Sequence, residues 1–269
     1  MLAGMKRDVA SRIELDVTEP AELVFSTAVS GHHTPVTEHV SFTVDGEAVA
    51  FERIPDAHGT RLFTVASPAG RLVASYDASL DGLASSAVAT ATDLITYRRP
   101  SRYAESDALG PTAFAEFGAI TDPAELLAAV SSWVGTRLAY VSGSSLPTDG
   151  AVRTLLGRQG VCRDYAHLTV ALLRALNIPA RLVSVYAPGL HPMDFHAVAE
   201  AWVEGGWHVV DATTLAPRST LVRIATGRDA ADTAFLTVVS GRVNLVDMTV
   251  TAVADVLPDD DLDTLTQIN

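Results

Sequence analysis

The sequence predicts an α+β fold preceded by a small all-β domain, and three observations predict it. Short strand-like runs crowd residues 10–97, helical runs dominate from about 122 to 176, and strands return from 181 onward. The expected organisation is a β-sandwich or barrel-like domain over 1–97, a connecting segment over 98–120, an α+β domain over 121–254 and an acidic tail over 255–269.

The first region alternates apolar and polar residues in six runs: Ser11 to Val17, Glu22 to Val29, Val40 to Val44, Ala48 to Phe51, Arg61 to Ala66 and Arg71 to Asp77. Turn residues separate them. Asp45-Gly46 between two such runs is a two-residue hairpin signal, because both positions must accept positive φ. The connecting segment carries Arg98-Arg99-Pro100 and Leu109-Gly110-Pro111, with one short helix expected near Thr112 to Phe117.

Asp122-Pro123-Ala124-Glu125 is a capping box with proline at the first helical position. It opens a helix to about Leu138, with Leu126, Leu127, Val130, Val134 and Leu138 at core spacing. Thr148 or Asp149 is expected to cap a shorter helix that ends at Gly157. A third helix runs from Cys162 to about Leu176, stopped by Asn177 and Pro179. Its apolar residues wrap most of the circumference, so it is expected to be buried. Strands are expected over Arg181 to Tyr186, His196 to Val203 and Trp207 to Asp211, then near Leu221 to Ile224, Ala234 to Val239 and Val243 to Ala254. The Asp-rich tail reads as a solvated, frayed terminus rather than a calcium loop.

Cys162 is the only cysteine, and it falls where the apolar helix begins. The unpaired amides of a helix N-terminus favour an anion, here a thiolate, and the Cys162 N–H is free to face a developing oxyanion. His196 and Asp211 follow on strand-like runs. If those strands form a hairpin with an even loop, His196, Val198, Trp207, Val209 and Asp211 share one face. A four-residue loop Val203-Glu204-Gly205-Gly206 puts Asp211 opposite Val198, one diagonal step from His196. In that arrangement Cys162 is the nucleophile, His196 the base and Asp211 the group that orients the imidazole. A zinc site built from Cys162, His191, His196 and Asp211 is the competing chemistry, and no compact ligand pair supports it. His32, His33 and His39 read as surface residues, and His167 as a locally packed one. Asp164 helps the helix cap. Trp133, Trp202 and Trp207 read as core.

The net charge of −13 over 269 residues, without a basic stripe, argues against a nucleic-acid partner. One cysteine cannot form an internal disulfide. No apolar stretch reaches the roughly 20 residues of a membrane span, and Met1 to Val9 is not followed by a signal-peptide apolar region, so a cytoplasmic location is expected. No cofactor or metal is called for.

Gly160-Val161-Cys162-Arg163-Asp164-Tyr165-Ala166-His167, then Pro179-Ala180-Arg181, Asp194-Phe195-His196-Ala197 and Trp207-His208-Val209-Val210-Asp211-Ala212-Thr213 resemble the bacterial transglutaminase-like superfamily. The resemblance is strongest over about 120–240, and is closest to candidate cysteine proteases with an N-terminal β domain. It implies a papain-like core, with a central helix carrying Cys162 on an antiparallel sheet carrying His196 and Asp211. It also implies acyl transfer through a thioester, hence a cysteine-dependent hydrolase of peptide or protein amides. A crosslinking transglutaminase and a non-catalytic binding protein of the same fold are the alternatives. The crosslinking enzymes' tryptophan oxyanion donor is not carried over to Trp133, which reads as helix core, so the second donor is left open.

Overall fold

The computed structural model describes residues 4–269; the first three residues of the Met1 to Val9 stretch lie outside it. The chain opens with β1 (Lys6–Phe25), β2 (Thr37–Val44), β3 (Glu47–Ala48), β4 (Glu52–Pro55), β5 (Arg61–Ser67) and β6 (Gly70–Asp81). Helices α1 (Ala91–Thr96), α2 (Gly110–Phe117) and α3 (Pro123–Arg137) follow, then β7 (Ala139–Tyr140), α4 (Ala151–Gly157), β8 (Gln159–Gly160) and α5 (Cys162–Ala175). The chain continues through β9 (Ala180–Tyr186), β10 (Phe195–Val203), β11 (Gly206–Val210), β12 (Val222–Gly227), α6 (Ala230–Thr233) and β13 (Leu236–Ala254).

The large sheet is organised by β1. Its first half pairs β6 and its second half pairs β5 along one edge, while β13 runs antiparallel along the other. The expected Ser11 to Val17 and Glu22 to Val29 strands are therefore one. Pro20 interrupts the ladder, where register shifts accommodate it. Gly241 faces that irregularity across the pair: a Cβ there would lie 2.3 Å from the Pro20 carbonyl. Val9, Ile13, Leu15 and Val17 point inward at every second position, as the alternation requires. Asp45 and Gly46, both at positive φ, make the expected hairpin turn between β2 and β3.

Two readings of the sequence are corrected. The segment 236–254, read from sequence as two strands of the 121–254 domain, forms the single strand β13 and belongs to the large sheet. Alternation shows that a strand has one buried face but not which strand it pairs. The acidic tail is not frayed. Ile268 is buried, the Thr266 carbonyl accepts the Val209 N–H at 2.8 Å, and the buried Arg7 donates to the Asn269 carbonyl at 2.9 Å. Asp260 pairs with Arg218 at 3.0 Å, so one of the tail's charges is spent on docking.

The second sheet has the order β11-β10-β9-β12, all antiparallel, and α5 packs on it. The Asp122 carboxylate caps α3 through the Glu125 N–H at 2.9 Å, as the sequence predicts. For α4 the cap differs: Gly150 holds that place without a side-chain bond, while the Asp149 carboxylate turns back to the Leu146 N–H. Helix α5 is buried along almost its whole length, with Leu168, Val170, Ala171, Leu172 and Leu173 fully covered. Arg174, near its end, is buried and satisfied by the carbonyls of Ala180, Arg99 and Arg228. Tyr186 joins the two sheets: its hydroxyl donates to the Thr27 carbonyl at 2.8 Å and its ring stacks on Tyr76. Val222, Ile224 and Ala225 of β12 complete the core of the large sheet, so one apolar cluster joins the two sheets. Among the described residues no helix is long and apolar enough to cross a membrane.

Candidate active site

The start of α5 is built by a short parallel pair. Tyr140 of β7 lies opposite Gly160 of β8, and the Val141 N–H donates to the Gly160 carbonyl at 3.0 Å. Val161 is extended and precedes the first helical turn. Its N–H donates to Asp164 Oδ2 at 2.8 Å, and the other Asp164 oxygen accepts from Ser145 Oγ at 2.8 Å. A Cβ on Gly160 would lie 2.6 Å from the Asp164 Cβ, so only glycine lets this carboxylate fold back over the helix start. Asp164 thus has a defined role as cap. Cys162, half-buried, is the first residue of the helix and takes the end where backbone N–H groups have no helical partner.

The β10–β11 hairpin supplies the other two residues. Trp202 lies opposite Trp207, and Val203 opposite Gly206. The unpaired turn is Glu204-Gly205, both at positive φ, two residues shorter than the loop read from sequence but still even. The register therefore carries Asp211 past the last pair, Ala199 with Val210, to the position facing Val198. His196 Nε2 and Asp211 Oδ2 meet there at 2.8 Å, both residues being 2% exposed. The remaining Asp211 oxygen accepts from the Thr213 N–H at 2.9 Å and its hydroxyl at 2.7 Å.

Burial works against charge on His196, but the Asp211 carboxylate and its hydrogen bond outweigh it, and with Cys162 beside the ring they raise the imidazole to about 10. Burial likewise opposes charge on Asp211, yet His196 and the Thr213 bonds hold the carboxyl below its ordinary range. Each partner thus favours the charged form of the other. Nδ1 of His196 is buried and makes no other protein hydrogen bond, which leaves it for the Cys162 side.

Tyr140 is the site residue that sequence reading missed. Its phenol stands beside Cys162, which helps to raise it. Although the residue is 45% exposed, desolvation of the phenol, with Cys162 adding, pushes it up to about 12, so it stays protonated. Ring packing on Tyr165, with centroids 5.9 Å apart, steadies it. The one sequence clue is the extended Leu138-Ala139-Tyr140-Val141 after a helix, and a two-residue parallel pairing leaves no periodicity to read.

A cavity of about 500 Å³ opens beside Cys162 and His196. Asp194 borders it, its carboxyl raised by burial while one oxygen accepts the Phe195 N–H at 2.7 Å. Trp133 donates its indole N–H to Glu116 at 2.9 Å and takes no part in the site. His167 packs locally, stacked on Tyr103, with Nε2 accepting the Ala230 N–H. His39 is exposed as expected, but His33 is buried, and desolvation with nearby arginines lowers it to about 3. Among the described residues no group of three or more His, Cys, Asp and Glu is arranged to hold a metal ion.

A half-buried thiol at the start of a central helix, packed on an antiparallel sheet that presents a hydrogen-bonded His–Asp pair, defines the papain-like class of α+β fold. Residues 112–212 match the transglutaminase-like superfamily. Along nearly its whole length the chain is similar to the crystal structure of a candidate cysteine protease from Cytophaga hutchinsonii, with 32% identity, 98% of this chain and 96% of that chain covered, and a TM-score of 0.85. Two curated relatives are uncharacterised proteins. One, from Mycobacterium leprae, is 31% identical over 133 residues, 45% of this chain and 47% of its own. The other, from Mycobacterium tuberculosis, is 36% identical over 124 residues, 40% of this chain and 39% of its own. The matched region spans less than half the length of these curated relatives. The chain belongs to the transglutaminase-like superfamily.

Proposed function

We propose that the protein is a cysteine-dependent hydrolase of peptide or protein amides, with Cys162 as nucleophile, His196 as acid–base and Asp211 as the orienting carboxylate. The observation that carries the reading is the 2.8 Å His196 Nε2–Asp211 Oδ2 bond, which leaves Nδ1 toward Cys162 at the mouth of a cavity. In this mechanism the Cys162 proton already rests on His196 Nδ1 before substrate binds, and the sulfur attacks the amide carbonyl. The oxyanion meets the Cys162 N–H and the Tyr140 hydroxyl. The imidazolium then protonates the leaving amine, giving a thioester and a neutral ring. That ring draws a proton from water, hydroxide attacks the thioester, and the free acid departs, leaving the sulfur anion beside the charged ring again.

Amine transfer to the same thioester, the crosslinking outcome, needs only a different acceptor. The acidic balance of the chain supports a peptide partner over a nucleic acid, and its single thiol suits a reducing cytoplasm. The test is intact-mass spectrometry during turnover of a peptide-amide library. An acyl adduct on the wild type, absent in Cys162→Ala, is expected. Undiminished hydrolysis by Cys162→Ala would overturn the mechanism.

A further inference from the structure

The cavity beside Cys162 is walled by both sheets. Leu182 and Phe195 come from β9 and β10, Ile224 from β12, Leu236 and Met248 from β13, and Phe235 from the preceding loop. Phe195 and Phe235 stack with centroids 5.4 Å apart and planes at 21°, forming a flat aromatic wall. At about 500 Å³ the space holds a large side chain together with part of its backbone.

Each charged side chain around it already holds at least one partner, although the buried Arg163 Nε has none. Arg163 donates to Ser145 Oγ at 2.6 Å and to the Leu146 carbonyl at 2.9 Å. Asp194 holds the Phe195 N–H and faces the positive His196 ring. Two hydroxyls are not engaged. Ser26, 3% exposed at the end of β1, and Ser184, mid-strand in β9 opposite Ala197, both border the cavity, and neither buried Oγ has a hydrogen-bond partner. Buried polar atoms left this way are costly, and a ligand group that satisfies them recovers the cost.

We infer that the cavity receives an aromatic side chain with a polar tip, tyrosine above phenylalanine, from the peptide residue flanking the attacked carbonyl, its tip reaching the Ser26 and Ser184 hydroxyls. The inference rests on Cys162 being the nucleophile. It gives the N-terminal β unit a part in specificity, since Ser26, Leu236 and Met248 all belong to the large sheet or its margin.

Dipeptidyl chloromethyl ketones test it, because they alkylate the thiol without turnover. They are varied at each of two positions among Tyr, Phe, Gly, Lys and Asp, and second-order inactivation rates are read by Cys162 adduct mass. At one position Tyr and Phe should exceed Gly, Lys and Asp by about tenfold or more, and Tyr should exceed Phe by about three- to tenfold, as one or two net hydrogen bonds allow. In the double variant Ser26→Ala/Ser184→Ala the Tyr-to-Phe ratio should fall to about one. In Met248→Trp, which fills the space, the Tyr-to-Gly ratio should fall by about tenfold. Equal rates for all side chains, a preference for Lys, or an unchanged Tyr-to-Phe ratio in the double variant overturns the inference while leaving the nucleophile standing. Failure of every probe to label Cys162, iodoacetamide included, overturns the nucleophile reading and this inference with it.

Discussion

His196 and Asp211 lie one diagonal step apart across the β10–β11 hairpin, and their 2.8 Å bond follows from the even turn at Glu204-Gly205. Asp211→Asn keeps the shape but replaces a charged acceptor with an amide that can present N–H₂ to the ring. The expected result is a fall in kcat of about 10²- to 10⁴-fold with the fold retained, read by steady-state kinetics and near-ultraviolet circular dichroism. Activity within a few-fold of the wild type would remove Asp211 from the mechanism.

Tyr140 reaches the helix start only because β7 pairs with β8. Tyr140→Phe keeps the ring packing on Tyr165 and deletes the proposed second oxyanion donor. Amide hydrolysis should fall by about 10²-fold, because the donor acts on charge that develops in the transition state. Alkylation by iodoacetamide forms no oxyanion and should fall far less. Equal losses in both reactions would mean that the hydroxyl acts on the thiol instead.

Glu200 is completely buried between Arg181, at 2.7 Å, and Arg223, at 2.5 Å, and its carboxyl is held far below the ordinary range because the two guanidiniums outweigh its desolvation. Arg181 also lies 3.9 Å over the Trp207 ring. The cluster ties β9, β10, β11 and β12 together behind the candidate site. Glu200→Gln leaves two buried cations without a counter-charge and should cost about 3–5 kcal/mol in urea unfolding. A loss below about 1 kcal/mol would show that water or rearrangement compensates.

The local features were legible because local rules govern them. The Asp122 cap, the Asp45-Gly46 turn, the buried wrap of α5 and the register that brings Asp211 to His196 all follow from spacing within one or two neighbouring elements. What was not legible depends on distant partners. Nothing in the alternation of 236–254 says that it pairs β1, nothing in an Asp-rich tail says that Arg7 and Arg218 hold it, and Tyr140 is brought to Cys162 by a two-residue ladder. Helix α1 was missed despite a readable signal: Thr90 and Asp93 form a reciprocal capping box.

The charged state of His196 carries its own test. Its folded-state value is raised from 6.5 to about 10, since Asp211 and Cys162 outweigh burial. A group raised on folding contributes stability that is fully present below the unfolded value and is lost as pH rises through the folded one. The His196 contribution should therefore be complete below about pH 6.5 and decline toward pH 10. The Asp211 value is lowered on folding, so its contribution is present above its ordinary 3.8 and is lost as pH falls below that. The difference in unfolding free energy between wild type and Asp211→Asn should thus be widest near pH 5–6.5 and shrink toward pH 10. In the variant, burial remains while the counter-charge is gone, so His196 should titrate below 6.5. Nitrogen-15 NMR of the imidazole reads the titration, and denaturant melts from pH 4 to 10 read the stability. A wild-type ring that deprotonates near 6.5, or a stability difference flat across that range, would show that the buried pair is not charged at neutral pH.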